Sequence, residues 1–436
     1  MLQAMLSGVA SIKAQQSRMN VIGDNLANVN TTAFKSSRVS FAEMMSQTIR
    51  SASGATSSRG GVNPIQYGLG VSVTSTDVNN AQGALNQTNK STDLAIQGNG
   101  FFMTSNSQRT AYTRDGSFQV DTQGYLVQSA TGERVLGWQG NGSGVIDTTQ
   151  AISPTSYVAI PTSLNSVRQT STATYAGNLN ASALPADKVS SSMRVFDSLG
   201  TAHDLNLVLT NHTTPPPVSV PPAPAGAGSS WDWEVWEGTP GTGTLVGSNL
   251  TAGNERFYFD SSGNQVTGLA AGAFNQVTLN PGPTDSFASF NVNMNFKQIT
   301  QLDGASQINA VDQDGFAPGS LESYAISQDG VVTGIFTNGF TRPIAQIAMA
   351  SFSNPEGLER NGNNLYIASD NSGRPLVGTP RTNARGSISA GFLEQSNVDI
   401  GSEFTDLIVT QRGFQANTKV VTTVDELLQD LINMKR

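Results

Sequence analysis

The chain has no cysteine, only two histidines and no run of basic residues. Without thiols there is neither a disulfide nor a thiolate metal ligand. His203 and His212 alone fall short of the several Cys or His ligands a zinc site asks for. The missing Lys/Arg clusters, with a formal net charge of −8, remove the basic patch on which nucleic-acid binding rests. No apolar run is long enough to span a bilayer, so direct membrane insertion is not expected. The opening MLQAMLSGVA has no basic residue ahead of its apolar positions, so a cleavable secretory signal is not expected either. Charge of any sign is scarce, 13% of residues against roughly 25% in an average soluble protein. Gly, Ser, Thr and Asn stand in its place. With 37% hydrophobic residues this is not a disordered composition. It suits short strands, many turns and a surface that packs against copies of itself. At 436 residues the chain exceeds one compact domain, and two or three are expected.

The two ends differ from everything between them. Leu2, Met5, Val9, Ile12, Gln16, Met19, Gly23 and Leu26 step alternately by three and four, the spacing of a helix seam that packs on another helix. Asn28 and Asn30 then weaken the helix. Phe404, Leu407, Gln411, Phe414, Thr418, Val421, Asp425, Leu428 and Ile432 step the same way, widened by Ile408, Val424, Leu427 and Leu431. Ser402 before Glu403 reads as the N-cap. Matching seams at opposite chain ends favour pairing with each other and with neighbouring subunits over two separate surface helices.

The middle reads as β. Residues 93–103 form a strand, a glycine-centred turn and a strand; 118–127, 195–205 and 325–332 read as hairpins. Period-two alternation places Trp231, Trp233 and Val235 on one face of a strand. Proline-rich Thr213–Ser230 is expected as an extended loop, and Gly54, Gly60, Gly61 and Pro64 make Thr48–Tyr67 an extended arm or hairpin.

No chemistry-bearing constellation stands out. Gly98-Asn-Gly100 lacks the third glycine of a dinucleotide fingerprint. Asp312–Gly315 and Asp260–Asn264 lack the ligand pattern of a calcium loop and read as turns. No Gly-x-Ser-x-Gly elbow adjoins a strand–helix pattern. Nothing brings Glu322 and Asp329 into one cleft. No catalytic, cofactor or metal residues are assigned, and no enzyme is expected.

Several long stretches, in order along the chain, resemble the flagellar rod and hook family. Asp24–Lys35 (DNLANVNTTAFK) resembles its N-terminal signature; Ser396–Asp399, Ile408–Asn417 and Leu428–Arg436 resemble its C-terminal one. Leu94–Phe102 and Thr113–Phe118 are similar to its central motif, and Gly315–Gly319 and Phe352–Leu358 to the hook members. Asn25, Asn28, Phe34, Lys35, Asn397, Val398, Asp399, Gln411, Arg412 and Gln415 are the signature residues carried over. A large inserted middle region also resembles hook members, whereas Thr48–Tyr67 is similar to the distal rod protein.

The resemblance implies a mainly β fold with terminal α-helices: nested β domains flanked by helices that pair as a coiled-coil layer. The expected division is a helical domain of 1–35 with 400–436, an extended stretch 36–70, a first β domain of 71–148 with 306–385, an inserted outer β domain 149–305 and a linker 386–399. It implies subunit packing through Leu2, Met5, Val9, Ile12, Met19 and Leu26 of the first helix and Phe404, Leu407, Phe414, Val421, Leu428 and Ile432 of the last. The implied role is a subunit of a hollow, flexible helical tube that joins rod to filament and passes torque. Its implied partners are copies of itself, the distal rod, hook cap and hook–filament junction proteins, and the flagellar type III export apparatus. The implied location is extracellular, in the flagellum, reached without a cleaved signal. Lacking cysteine, the chain makes no cysteine-derived cross-link between subunits. A distal rod subunit and a secreted β-rich adhesin are the rival readings.

Overall fold

A computed structural model describes residues 2–55, 59–161, 164–212, 229–249, 256–266, 275–281 and 286–434. The proline-rich 213–228 lies outside them; Ser229 and Ser230, expected in that loop, already belong to the strand Ser229–Glu237. The chain forms two compact units, one of residues 1–161, 325–333 and 343–436, the other of residues 162–324 and 334–342.

The first unit begins with helix α1 (Leu2–Ala27) and ends with helix α2 (Ile400–Asn433). No helix among the described residues is long and apolar enough to cross a membrane. α1 stops where Asn28 turns its side chain back onto the Asp24 carbonyl. α2 starts earlier than the expected Ser402: Asp399 caps it, its carboxylate accepting from Gly401 N at 2.8 Å and Ser402 N at 3.2 Å. A long β arm follows α1. Ser37–Glu43 pairs antiparallel with Val71–Val78, and Ser46–Arg50 with Ile65–Gly68. The residues 386–399, expected as a linker, are instead paired: Ser387–Ala390 runs against Leu94–Gln97, and Phe392–Glu394 against Leu85–Gln87. Leu94–Gln97 and Phe101–Ser105 therefore part company at Gly98, the second joining Thr110–Thr113, Arg134–Val135 and Met349–Ser351 in a larger sheet. On that sheet Phe101, Tyr112, Phe352 and Tyr366 pack edge to face, with Leu136 and Trp138.

The second unit differs in extent from the expected 149–305. Residues 153–160 hydrogen-bond within the first unit, as in Val158 N to Val135 O, while Gln307–Gln313 pairs with Thr172–Asn180. Its two sheets enclose one core. Thr172–Asn180 lies between Phe290–Leu302, in parallel, and Gln307–Gln313. Ala202–His212 lies between Lys188–Phe196 and Ser229–Glu237. Trp231, Trp233 and Val235 are fully buried, as the alternation predicts, among Tyr175, Phe257 and Phe296.

Several tight turns share one device. The side chains of Asp121, Asn141, Asp197 and Asp260 each accept from the backbone N–H two and four residues on. The glycine three residues on adopts φ of 85°, 79°, 85° and 78° respectively, the left-handed region. Asp260 is thereby committed to its own turn.

Trp233→Ala is expected to lower the stability of the second unit by roughly 3–5 kcal/mol, while the first unit, whose core it does not enter, unfolds unchanged. Denaturant unfolding followed by fluorescence of the remaining tryptophans checks this; a shift in both transitions would contradict it.

Candidate functional site

Two arrangements in the first unit carry the terminal helices: a seam between α1 and α2, and the junction where both enter the β structure. The seam is antiparallel and polar. Asn417 Nδ2 donates to Ser11 Oγ at 2.6 Å, Arg18 meets Asp406 at 3.0 Å, and Asn25 Nδ2 donates to Glu403 Oε1 at 2.9 Å. Gly8 and Gly413 let the backbones close in. A Cβ on Gly8 would stand 3.0 Å from Val421, and one on Gly413 would stand 3.3 Å from Gln15. Ile22, Thr410 and Val424 are the buried residues beside them. Positions 8, 11, 15, 18, 22 and 25 step by three and four, like the expected seam but one residue earlier.

That offset relocates the expected packing residues. Met5, Ile12, Met19 and Leu26 of α1, and Leu407, Phe414 and Leu428 of α2, are half-buried, and half-buried Val421 faces Gly8 across the seam. Val9, Phe404 and Ile432 are exposed, and the side chain of Leu2 lies outside the described residues. The physical reason is steric: glycine, serine and asparagine allow close helix approach and cross-helix hydrogen bonds, which leaves the bulky apolar residues on the flanks.

The junction gathers the signature residues. Lys35 and Glu394, both buried, pair at 2.6 Å. Lys35 Nζ also donates to Ala81 O at 2.8 Å, and Gly83 N to Glu394 Oε1 at 2.9 Å. Arg114 reaches the other carboxylate oxygen at 3.4 Å, donates to Gly98 O and lies 5.4 Å from the Phe101 ring centre. Burial pulls the Lys35 ammonium below the usual lysine range against the opposing pull of Glu394, and burial likewise lowers Arg114. Asn25 holds Ser37 from both sides, accepting from its N–H at 2.9 Å and donating to its carbonyl at 2.8 Å. Asn397 accepts from Ser36 N at 2.8 Å and donates to Asn79 O and Ala81 O. Arg360 stacks on Phe34 and donates to the Lys35 carbonyl. Asn28 stops α1, Asp399 starts α2 and Val398 is half-buried between them and the junction. Gln411, Arg412 and Gln415 are exposed on α2, away from this network.

Glu394 escaped the sequence reading, because a lone Glu in a strand-rich stretch carries no spacing signal; Arg114 lies within the Thr113–Phe118 motif, where the sequence attached no role to it. The seam residues Gly8, Ser11, Asn417 and Gly413 escaped it because apolar periodicity ignores small polar residues. Their own three-and-four spacing was the available sign.

Glu394→Gln strands two buried cations, whereas Lys35→Met leaves Glu394 with Arg114. The first is expected to cost roughly 3–5 kcal/mol and the second clearly less, as read from denaturant unfolding of the first unit. Equal losses would show that the carboxylate is not the centre of the cluster. At the seam, burial raises Glu403, with Asn25 opposing and Asp406 adding to the rise. A carboxyl raised in the folded state contributes stability below its unfolded pKa that is lost as pH rises through its folded one. The helix signal in circular dichroism is therefore expected to be firmer in mild acid than at neutral pH, and Glu403→Gln to flatten that difference.

Comparison with known proteins follows the same ground. The family model described as "Flagella basal body rod protein" matches residues 5–35, and "Flagellar basal body rod FlgEFG protein C-terminal" matches 389–434. "Flagellar hook protein FlgE/F/G D1 domain" matches 95–172, and "Flagellar basal body protein FlaE D2 domain" matches 163–316. The flagellar hook protein FlgE of Treponema pallidum is 37% identical and that of Borreliella burgdorferi 36% identical, each alignment covering the whole of both chains. The Escherichia coli hook protein FlgE is 30% identical over 99% of this chain and all of its own. With full-length relatives of one kind and family models matched from its first helix to its last, the chain belongs to the flagellar hook protein family.

Proposed function

We propose that this hook subunit polymerises into a hollow, flexible helical tube, a universal joint that passes torque from rod to filament, with α1 and α2 packing between neighbouring copies as its inner layer. The observation that carries this reading is the apolar surface left on the flanks of a polar seam. On one flank of α2 stand Phe404 and Ile408, 48% and 57% exposed, in line with the exposed Gln411 and Gln415. On the other stand Val409, Val420 and Leu427, 56%, 46% and 49% exposed. On α1, Leu6 and Val9 line a groove with Met44, Val71 and Val73 of the arm. Large apolar side chains exposed in this number along one helix mark a surface for another protein to cover. A head-to-tail contact between identical copies that does not close into a ring generates an open helix.

The role is structural rather than catalytic. Partners in this reading are further copies along the tube, the distal rod protein below, the cap and filament-junction proteins above, and the flagellar export apparatus that delivers the chain outside the cell. The low charge and the Ser, Thr, Asn and Gly surface suit contacts that exchange with water as the tube bends.

Covering one large apolar side chain is worth roughly 1.5–3 kcal/mol, and the contact recurs at every subunit. Ile408→Asp and Leu427→Asp are expected to leave the chain exported, with both β units folded and no polymer visible by electron microscopy. Hooks of normal shape from either variant would overturn the reading.

A further inference from the structure

The chain contains four Asn-Gly pairs, at Asn99, Asn141, Asn338 and Asn361, which are alike in their local sequence chemistry and unlike in their surroundings. Asn141 is tied down, its side-chain oxygen accepting from Ser143 N and Val145 N. Asn338 donates to Ala317 O at 2.6 Å and accepts from Phe340 N at 3.0 Å. Asn99 has its carbonyl held by Gly386 N at 2.7 Å, and the following Gly100 is buried, with room for a Cβ denied by Met349 at 2.5 Å. Asn361 differs. Among the described residues neither its side chain nor the Gly362 N–H has a hydrogen-bond partner, unlike Asn141 and Asn338; the Asn99 side chain and the Gly100 N–H share that freedom, but Gly100 is buried, whereas Asn361 and Gly362 are both exposed. A Cβ on Gly362 would meet nothing within 4 Å. The backbone there is left-handed at Gly362, Asn363 and Asn364, with φ of 79°, 50° and 58°, a run that costs L residues energy and that relaxation of the turn would relieve.

We propose that Asn361–Gly362 is a self-modification site, at which the chain slowly converts the Asn361 amide to aspartate and isoaspartate. The Gly362 backbone nitrogen attacks the Asn361 side-chain carbonyl carbon. The new N–C bond forms as the amide C–N bond breaks, and the glycine proton leaves with the amide nitrogen as ammonia. Solvent water then opens the cyclic imide at either carbonyl. The product places a carboxylate one residue from Arg360, whose guanidinium stacks on Phe34, donates to the Lys35 carbonyl and lies 3.8 Å from Asp24. The modified turn therefore borders the junction that holds the terminal helices.

The test ages the purified full-length chain in neutral buffer and follows all four sites by peptide mapping, with fragmentation that separates aspartate from isoaspartate. Asn361 is expected to convert about tenfold faster than Asn141 and Asn338, which must first break two and three side-chain hydrogen bonds respectively, and faster than Asn99. A parallel sample in denaturant is expected to bring the four rates together, because the ranking belongs to the fold. Native conversion at Asn99, Asn141 or Asn338 as fast as at Asn361 overturns the proposal. So does a ranking that survives denaturation, since that would assign it to the flanking sequence alone.

Discussion

Glu394 is a carboxylate with no solvent to share its charge, and it sits immediately ahead of the segment that starts the last helix. An ion buried this way is tolerable only when partners neutralise it and occupy its remaining lone pairs. The partners come from distant stretches: Lys35 just past the first helix, Arg114 from the central sheet, and the Gly83 N–H from the end of the arm. One residue therefore fixes, in three dimensions, where the chain leaves α1 and where it enters α2. The flanking asparagines extend the lock. Asn25 grips the first residue of the arm, and Asn397 grips Ser36 beside it. Each amide satisfies backbone groups that would otherwise be orphaned where two helices and two strands end together. A junction held by geometry-specific polar bonds resists twisting better than one held by apolar contact, which tolerates sliding. Rigidity at this point is what a subunit needs if rotation applied to its helices is to reach its β structure.

The seam above the junction follows the opposite economy. Small and polar residues take many of its positions, beside the buried Ile22 and Val424. The gain per contact is modest, since a hydrogen bond contributes about 0.5–1.5 kcal/mol net and a half-exposed ion pair such as Arg18–Asp406 less than about 1 kcal/mol. The apolar residues on the flanks stay available for a partner. An apolar seam would have made a sturdier hairpin and a poorer building block, because the surface that could drive association would already be covered.

Much of this was legible in the sequence, and the failures share a cause. The three-and-four period located both helices, and strict alternation placed Trp231, Trp233 and Val235 in the core of the second unit. Turn residues located the hairpins at 118–127 and 195–205. These are local signals, read within one turn or one pleat. What stayed hidden is pairing over long separations: Glu394 with Lys35 and Arg114, residues 386–394 with strands near residue 90, and the exact face on which α1 meets α2. Apolar periodicity pointed to the bulky stripe, whereas the helices meet on the neighbouring positions, where glycine permits approach. The pattern fixes that a helix has a face to bury; it does not say whether the cover is the same chain or another.

The arm shows the same division at its limit. Its base, Ser37–Glu43 with Val71–Val78, rests on α1, close enough that a Cβ on Gly70 would stand 3.1 Å from Ala10. Its tip, Ser46–Arg50 with Ile65–Gly68, is exposed along both strands. Across the ribbon Gln47 pairs with Tyr67 and Thr48 with Gln66, and a register shift after Thr48 sets Ile65 opposite Arg50, with Met45, Ile49, Ile65 and Tyr67 all exposed. An isolated two-stranded ribbon is marginal in water, and this one has no third strand among the described residues. The second unit, by contrast, closes two sheets over a core rich in tryptophan and phenylalanine. Self-sufficiency is thus unevenly distributed along the chain: greatest in the β cores, partial at the helix seam and least at the arm tip. Elements at the low end of such a scale are the ones that open most readily. On the proposed reading, in which copies of the chain polymerise, these are the segments with the most apolar surface for a neighbouring copy to cover.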